Sequence, residues 1–370
     1  MEGNFSFEEF IDFDIKDINF KRKVSKKDML NLSSNELIHP RLTILNKTLQ
    51  ENISINRVNK YPFYPDELLC ISRLLNQKPS TVSLYSGSDD AIKIILSTLG
   101  KKCRNLVIQT PNYENYYSYS HLYGIHVKEW NLNEDYEFCI KEGEGILQES
   151  KPSLVVITAP NGFTGKSMQI EDIRFLSRLC YEKSHVLILD CAYIDFDDLN
   201  PYDLIDQYNN VIIVKTLSKS QGIAGARFAY VLACESITKY LSCYNGINAI
   251  SSTTYDVAKF YLKRNEELTQ IRQDIIMSRN DFSQFIVEKM GWRVIESKSN
   301  FILIEITTNH KVSSLEEYLL ENKIATRNLS HLKQFKNCIR LTIAEASIMM
   351  EVKKKLLLFI KQNEKTYTKR

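Results

Sequence analysis

The chain has 370 residues, 44% hydrophobic and 25% charged, which is ordinary for a soluble globular protein and enough for one large and one small domain sharing a cleft. A net charge of +3, with basic clusters only at Lys21-Arg22-Lys23, Lys26-Lys27 and Lys369-Arg370, leaves no footprint for nucleic acid. No apolar stretch approaches the ~18 residues of a membrane span, so a membrane is not expected as a partner either.

The acidic start MEGNFSFEEFIDFDI lacks a cationic segment before an apolar run, so no secretory signal is expected. The eight cysteines (Cys70, Cys103, Cys139, Cys180, Cys191, Cys234, Cys243 and Cys338) form no CxxC pair. They read as reduced core thiols of a cytoplasmic protein. The six histidines show no metal spacing, and no metal is expected.

In chain order, residues 1 to about 30 read as an arm with room for a helix, followed by the extended polar segment LNLSSNELIHP at 30 to 40. NRVNKYPFYPDEL then carries two Tyr-Pro pairs. Proline there holds Tyr61 and Tyr64 stiffly, for an interface or a site, or in the case of Tyr64 for packing. In SLYSGSDDAIKIILSTL a short apolar run breaks at Ser86-Gly87-Ser88. An amphipathic helix follows, with Ile92, Ile94, Ile95 and Leu99 inward and Ser88 or Asp89 as its cap. A plain cap and an anion site at the free N–H groups both fit that turn.

From Leu106 strand and helix alternate. LVIQT leads to PNYENYYSYSHLYG and HVKEWNL, LVVIT (154 to 158) to APNGFTG and a helix from about Ile170, and VLILD (186 to 190) to CAYIDFDD. VIIV (211 to 214) leads into KTLSKSQGIAGARFAY. In that stretch Lys219 lies among Thr216, Ser218 and Ser220 ahead of a glycine-rich turn ending at Arg227. These β-branched runs predict an α/β fold with a mostly parallel, doubly wound central sheet.

After 228 to 233 come long helical patterns to about Lys289. Strands near Trp292 to Ile295, Phe301 to Ile306 and Ile339 to Ile343 predict a smaller α+β domain. The expected division is 1–50 for the arm and part of the small domain, 51–270 for the large domain and 271–370 for the C-terminal small domain.

Asn161, Asp190, Tyr193 and Lys219 all fall at or just beyond C-terminal strand ends, where ligands of open α/β sheets gather. One amine, several phosphate-binding groups and a close backbone approach suit a phosphorylated aldehyde cofactor. Taken alone, the lysine stretch also fits an ordinary strand-to-loop junction. A carboxylate ending a buried strand needs a cation, and a protonated pyridine nitrogen would be one for Asp190. Tyr193 would reach the ring's phenolic oxygen, and Lys219 would form the Schiff base and then move a proton. Arg227, Ser218, Thr216 and the Ser86-Gly87-Ser88 helix start would hold the phosphate. No GxGxxG follows a strand, which disfavours a nicotinamide enzyme.

Nine strings in one order carry a resemblance: LSSNE (32 to 36), NKYP (59 to 62), SGSDDAI (86 to 92), PNYENY (111 to 116), PNGFTG (160 to 165), DCAYIDF (190 to 196), SKSQGIAGAR (218 to 227), SNFILI (299 to 304) and IRLTIA (339 to 344). On these the chain resembles the fold-type I pyridoxal-phosphate enzymes of the class I/II aminotransferases, most closely histidinol-phosphate aminotransferases. The resemblance implies pyridoxal 5'-phosphate as cofactor, Lys219 as the Schiff-base lysine, Asp190 as the pyridine-nitrogen partner and Tyr193 as the tyrosine on the ring oxygen. It further implies Tyr113 stacked on the ring, with the rest of the tyrosine run to Tyr123 packing its helix. Ser86, Gly87, Ser88, Ser218 and Arg227 would contact the phosphate. Tyr61 would reach the neighbouring subunit's cofactor in a homodimer, Arg340 would bind the substrate carboxylate and Arg327 a distal phosphate.

Departures from the family pattern are Gly162 and Phe163 in place of an asparagine and a proline, which leaves either Asn161 as a substitute bond donor or no such bond. Cys191 stands where glutamate is frequent, Glu36-Leu37-Ile38-His39-Pro40 lacks a tyrosine, and Ala344-Glu345 replaces Gly-Thr. His39 reads as a loop residue, and a surface helix end is the other reading of Arg327. The implied activity is amino transfer between a small-molecule amino donor and a keto acid or phosphorylated ketone. A threonine-phosphate-type decarboxylase or a specialised biosynthetic enzyme is the second reading and a non-catalytic relative the third.

Overall fold

The apolar runs between residues 82 and 233 build one seven-stranded sheet. Its order is Val82–Tyr85, Ala229–Ala233, Val211–Thr216, Val186–Asp190, Leu154–Thr158, Asn105–Thr110 and His126–Asn131. Ala229–Ala233 runs against both neighbours, and the other pairings are parallel. The computed structural model describes residues 26, 28–53, 57–246, 248–308 and 310–367. Most of the arm expected at residues 1 to about 30 lies outside them, as do the Lys21-Arg22-Lys23 and Lys369-Arg370 clusters.

Leu154–Thr158 is buried at every position, which is why it reads as an unbroken apolar run and not as an alternation. Period-2 geometry sends successive residues to opposite faces. Leu187 and Leu189 join one apolar cluster with Ile173, Leu176 and Ile271 of the helices Ile170–Glu182 and Asn265–Phe285. Ile188, between them, joins a second cluster with Ile92, Ile95, Tyr116 and Leu241. Helices therefore cover both faces.

The C-terminal part folds as an antiparallel sheet in the order Arg327–Asn328, Cys338–Thr342, Phe301–Glu305 and Arg293–Ile295, backed by the helix Ala346–Tyr367. Leu30–Asn31 pairs in parallel with Ile324–Ala325, which carries the segment that follows toward the C-terminal unit. The boundaries placed after residues 50 and 270 fall inside the helices Pro40–Asn52 and Asn265–Phe285, so no linker separates the units there.

The cysteines are not all core thiols, and the helix at residue 88 is not capped as expected. Only Cys180, Cys191 and Cys338 are buried, while Cys139 and Cys243 are exposed, because the latter pair sits at helix ends where the chain meets solvent. All eight cysteines are free thiols. The helix at residue 88 is capped by neither Ser88 nor Asp89. Gly87 holds the cap position at φ 87°, and the helix runs Ser88–Ile95. His39, read as a loop residue, caps the helix Pro40–Asn52 by accepting from Arg41 N–H, and its Nε2 lies 3.2 Å from Asp274.

Candidate functional site

Asp190 ends its strand in the middle of the sheet and is 5% exposed. Its Oδ2 accepts from the Tyr116 hydroxyl at 3.1 Å and its Oδ1 from Ala192 N–H at 3.1 Å, and it forms no ion pair among the described residues. Burial pushes the carboxyl up to about 6, against the pull of those two donors, and Asp89 adds slightly to the rise. A buried carboxylate with two neutral donors and no cation is an acceptor built for a cationic partner.

Lys219, on the loop after the next strand, donates from Nζ to the Ser34 carbonyl at 2.9 Å and stands 5.9 Å from the centre of the Tyr193 ring. Tyr193 is buried with its ring edge on Phe301, and its oxygen accepts from Asn35 Nδ2 at 3.0 Å. Lys215, four residues before Lys219, is a different kind of lysine. It is buried in a 2.6 Å ion pair with Asp195, whose carboxyl lies at about 2: burial pushes it up, but the Lys215 charge and hydrogen bond, the Ser220 hydroxyl and Arg272 together outweigh burial.

Polar groups gather along one edge at the start of the helix Ser88–Ile95. A Cβ on Gly87 would stand 2.6 Å from Arg227 Nη2, so the backbone approaches that guanidinium more closely than any side chain allows. Arg227, at φ 53°, donates from Nη2 to Asp89 Oδ2 at 2.8 Å. Asp89 Oδ1 accepts from the Tyr113 hydroxyl at 2.7 Å, and burial, with the Asp89 charge and this bond adding to it, holds that phenol far above its ordinary range. Thr216 and Ser218 bond one another at 2.9 Å beside this edge, and Ser86 N–H donates to Asp90 at 3.2 Å.

Arg340, on the strand Cys338–Thr342, donates to the Gly162 carbonyl at 2.6 Å and to the Ser33 carbonyl at 3.2 Å, with its guanidinium over the rings of Phe301 and Phe163. It forms no ion pair among the described residues, its Nε is buried without a partner, and burial lowers it to about 10. Arg327 is its direct cross-strand partner and pairs with Glu114 at 3.2 Å. It is a strand residue, not a helix end. Two like charges opposite one another across a strand pair repel unless an anion joins them.

The remaining expected residues divide. The Asn161 oxygen accepts from the N–H groups of Phe163 and Thr164, 2.9 and 3.1 Å away, so it is spent inside its own loop. Tyr61 is 86% exposed on this chain. Reading the sequence missed two contacts: Tyr116, assigned to helix packing, and Asn35, quoted in LSSNE without a role. The signal for Tyr116 was its place one helical turn after Tyr113, with a phenol that needs a partner once buried. Nothing local marked Asn35.

The model of the family described as aminotransferase class I and II matches residues 27–352. A histidinol-phosphate aminotransferase of Caldanaerobacter subterraneus subsp. tengcongensis is 28% identical over 302 residues, 81% of this chain and 84% of the relative. A dihydroxyacetone phosphate transaminase of Campylobacter jejuni is 26% identical over 346 residues, 91% and 92% of the two chains. The crystal structure of a histidinol-phosphate aminotransferase from Sinorhizobium meliloti in complex with pyridoxal-5'-phosphate superposes with a TM-score of 0.79 at 18% identity, over 90% of this chain and 91% of that one. With a match of that extent and this fold, the chain belongs to the aminotransferase class I and II family.

Proposed function

We propose that this chain is a pyridoxal-5'-phosphate-dependent aminotransferase working on small molecules in the cytoplasm, with a phosphorylated, histidinol-phosphate-type substrate as its best fit. The observation that carries the reading is Asp190, a buried carboxylate held by Tyr116 and Ala192 with no ion-pair partner among the described residues. A protonated pyridine nitrogen is the partner it lacks. The orphaned Arg340 Nε and the Gly87 edge against Arg227 fit the same group and its substrate.

When bound, the cofactor supplies a ring that withdraws electrons from the substrate carbon. Asp190 keeps that ring's nitrogen protonated, Tyr193 donates to its phenolic oxygen, and Tyr113 packs on its face. Ser86, Gly87, Ser88, Thr216, Ser218 and Arg227 hold its phosphate, where Arg227 exchanges Asp89 for the stronger anion. Lys219 holds the cofactor and then takes and returns the proton at the substrate carbon. Asn161 stiffens the loop that carries Gly162, whose carbonyl orients Arg340. Arg340 binds the substrate carboxylate or its equivalent, and Arg327 the distal phosphate. Tyr61, projecting into solvent, serves the partner's site in a homodimer. Among the described residues no helix is long and apolar enough to cross a membrane.

Arg340→Ala is expected to raise KM for a carboxylate donor by roughly 10²-fold, whereas Arg327→Ala raises KM only for phosphorylated substrates, by roughly tenfold or more. Steady-state kinetics with glutamate and with histidinol phosphate check both. Equal losses on both substrates from Arg327→Ala would remove the phosphate role, and release of CO2 in place of amino transfer would favour the decarboxylase reading.

Gly87→Ala is expected to weaken cofactor binding about tenfold or more, because the new methyl displaces Arg227 and strains a backbone at φ 87°. Titration of the visible band of the bound cofactor reads the loss.

A further inference from the structure

Three consecutive residues reach three different groups of the site. The Ser33 carbonyl accepts from Arg340, the Ser34 carbonyl from Lys219, and Asn35 Nδ2 donates to the Tyr193 oxygen at 3.0 Å. Such convergence needs a fixed backbone, and the C-terminal unit fixes this one. Leu32 N–H donates to the Ala325 carbonyl and Thr342 N–H to the Leu32 carbonyl, each at 2.8 Å, and Asn300 Nδ2 donates to the Asn35 carbonyl at 3.1 Å.

Asn35 is 1% exposed and stands at φ 55°, a left-handed conformation that asparagine tolerates better than most side chains. Its N–H donates to Thr342 Oγ1 at 3.0 Å, and its Oδ1 accepts from the same hydroxyl at 3.2 Å. That closed pair points the carboxamide oxygen at Thr342, which leaves the NH2 to face Tyr193. Among the described residues no other side chain donates to that phenol. Gly162 is the nearest alternative position, since a Cβ there would lie 3.6 Å from Tyr193 Cε2, but it carries no side chain. The neighbouring Asn161 amide faces the Pro111 carbonyl at 3.5 Å.

We propose that Asn35 is a positioning residue for the cofactor: by donating to the Tyr193 oxygen it fixes the direction of the phenol and strengthens the proton that the phenol offers. The inference rests on the pyridoxal-phosphate reading of the site. A hydroxyl that accepts one hydrogen bond donates a stronger one. A stronger donor at the cofactor's phenolic oxygen stabilises negative charge there, and that oxygen then holds the neighbouring titratable proton less tightly. Loss of the Asn35 donor therefore raises the pH at which the visible band of the bound cofactor interconverts.

The test is a spectrophotometric pH titration of the holoprotein in four forms: wild type, Asn35→Asp, Tyr193→Phe and the Asn35→Asp/Tyr193→Phe double variant. Asn35→Asp keeps the size and the Thr342 contact, so it folds where a truncation fails, and it places an acceptor where the donor stood. Its midpoint is expected about half to one pH unit above wild type. In the Tyr193→Phe background the same change is expected to move the midpoint by clearly less, since only the added charge and not the lost donor is felt there. Restoring an amide from the other side, in Asn35→Asp/Gly162→Asn, is expected to bring the midpoint back toward wild type. A normal wild-type band with no shift in Asn35→Asp, or a shift that persists undiminished without the Tyr193 hydroxyl, overturns the inference alone. A wild-type protein with no visible band overturns the cofactor reading and this inference with it.

Discussion

Lys219→Ala is expected to lower turnover by roughly 10⁴-fold or more while leaving the fold intact. The side chain makes one hydrogen bond, to the Ser34 carbonyl, so its removal costs about 1 kcal/mol or less of stability. Its amine stands 5.9 Å from the centre of the Tyr193 ring and donates to the Ser34 carbonyl, between that phenol and the segment 33–35. Both roles assigned to it, holding the cofactor and moving the proton, need a nitrogen at that place. A small exogenous amine should therefore restore part of the turnover. Borohydride treatment of wild-type holoprotein should leave the label on the peptide containing Lys219, and the alanine variant should take up no label. Turnover within tenfold of wild type, or a label on the paired and buried Lys215, would refute the assignment.

The same contrast shows what the sequence could and could not convey. The central strands were legible because each is buried on both faces, so apolar runs such as Leu154 to Thr158 carry their own signature. The place of Asp190 was legible because a polar residue that ends such a run stands at the sheet's carboxyl edge, and that of Lys219 because it lies on the loop that follows the next run. The helix cap was not, since a Ser-Asp pair reads as a cap, while the close approach of Arg227 requires Gly87 there and turns Asp89 toward Arg227 and Tyr113. Asn35 and Tyr193 meet across 158 residues of sequence, through strand pairings that no local pattern encodes. In PNGFTG the Asn161 oxygen closes the turn, while its NH2, the group expected to donate to the cofactor, lies 3.5 Å from the Pro111 carbonyl. Phe163, unexplained by sequence, stacks flat on Phe335 at 6.2 Å, joining the loop to the C-terminal unit beside Arg340.

Asp190→Asn is expected to act in opposite directions on stability and on turnover. In the cofactor-free chain, burial raises this carboxyl from its ordinary 3.8 to about 6, so between those values the folded state binds more protons than the unfolded one. The sign follows: stability is greatest below the lower value and falls as pH rises through about 6, by up to ~3 kcal/mol. Asparagine removes the charged form and keeps an oxygen for Ala192 or Tyr116. The cofactor-free variant should then be about 1–3 kcal/mol more stable than wild type at pH 8 and nearly equal to it at pH 4. Turnover, in contrast, should fall by roughly 10³-fold, because a neutral amide cannot hold the ring nitrogen in its protonated form. Denaturant unfolding at the two pH values, with and without pyridoxal phosphate, separates the effects. Added cofactor should stabilise wild type more than the variant, and most at pH 8, where it relieves a buried charge that the variant never had. A variant that is less stable than wild type without cofactor at pH 8, or that turns over normally, would show that the carboxylate already has its partner within the chain and that its burial is structural.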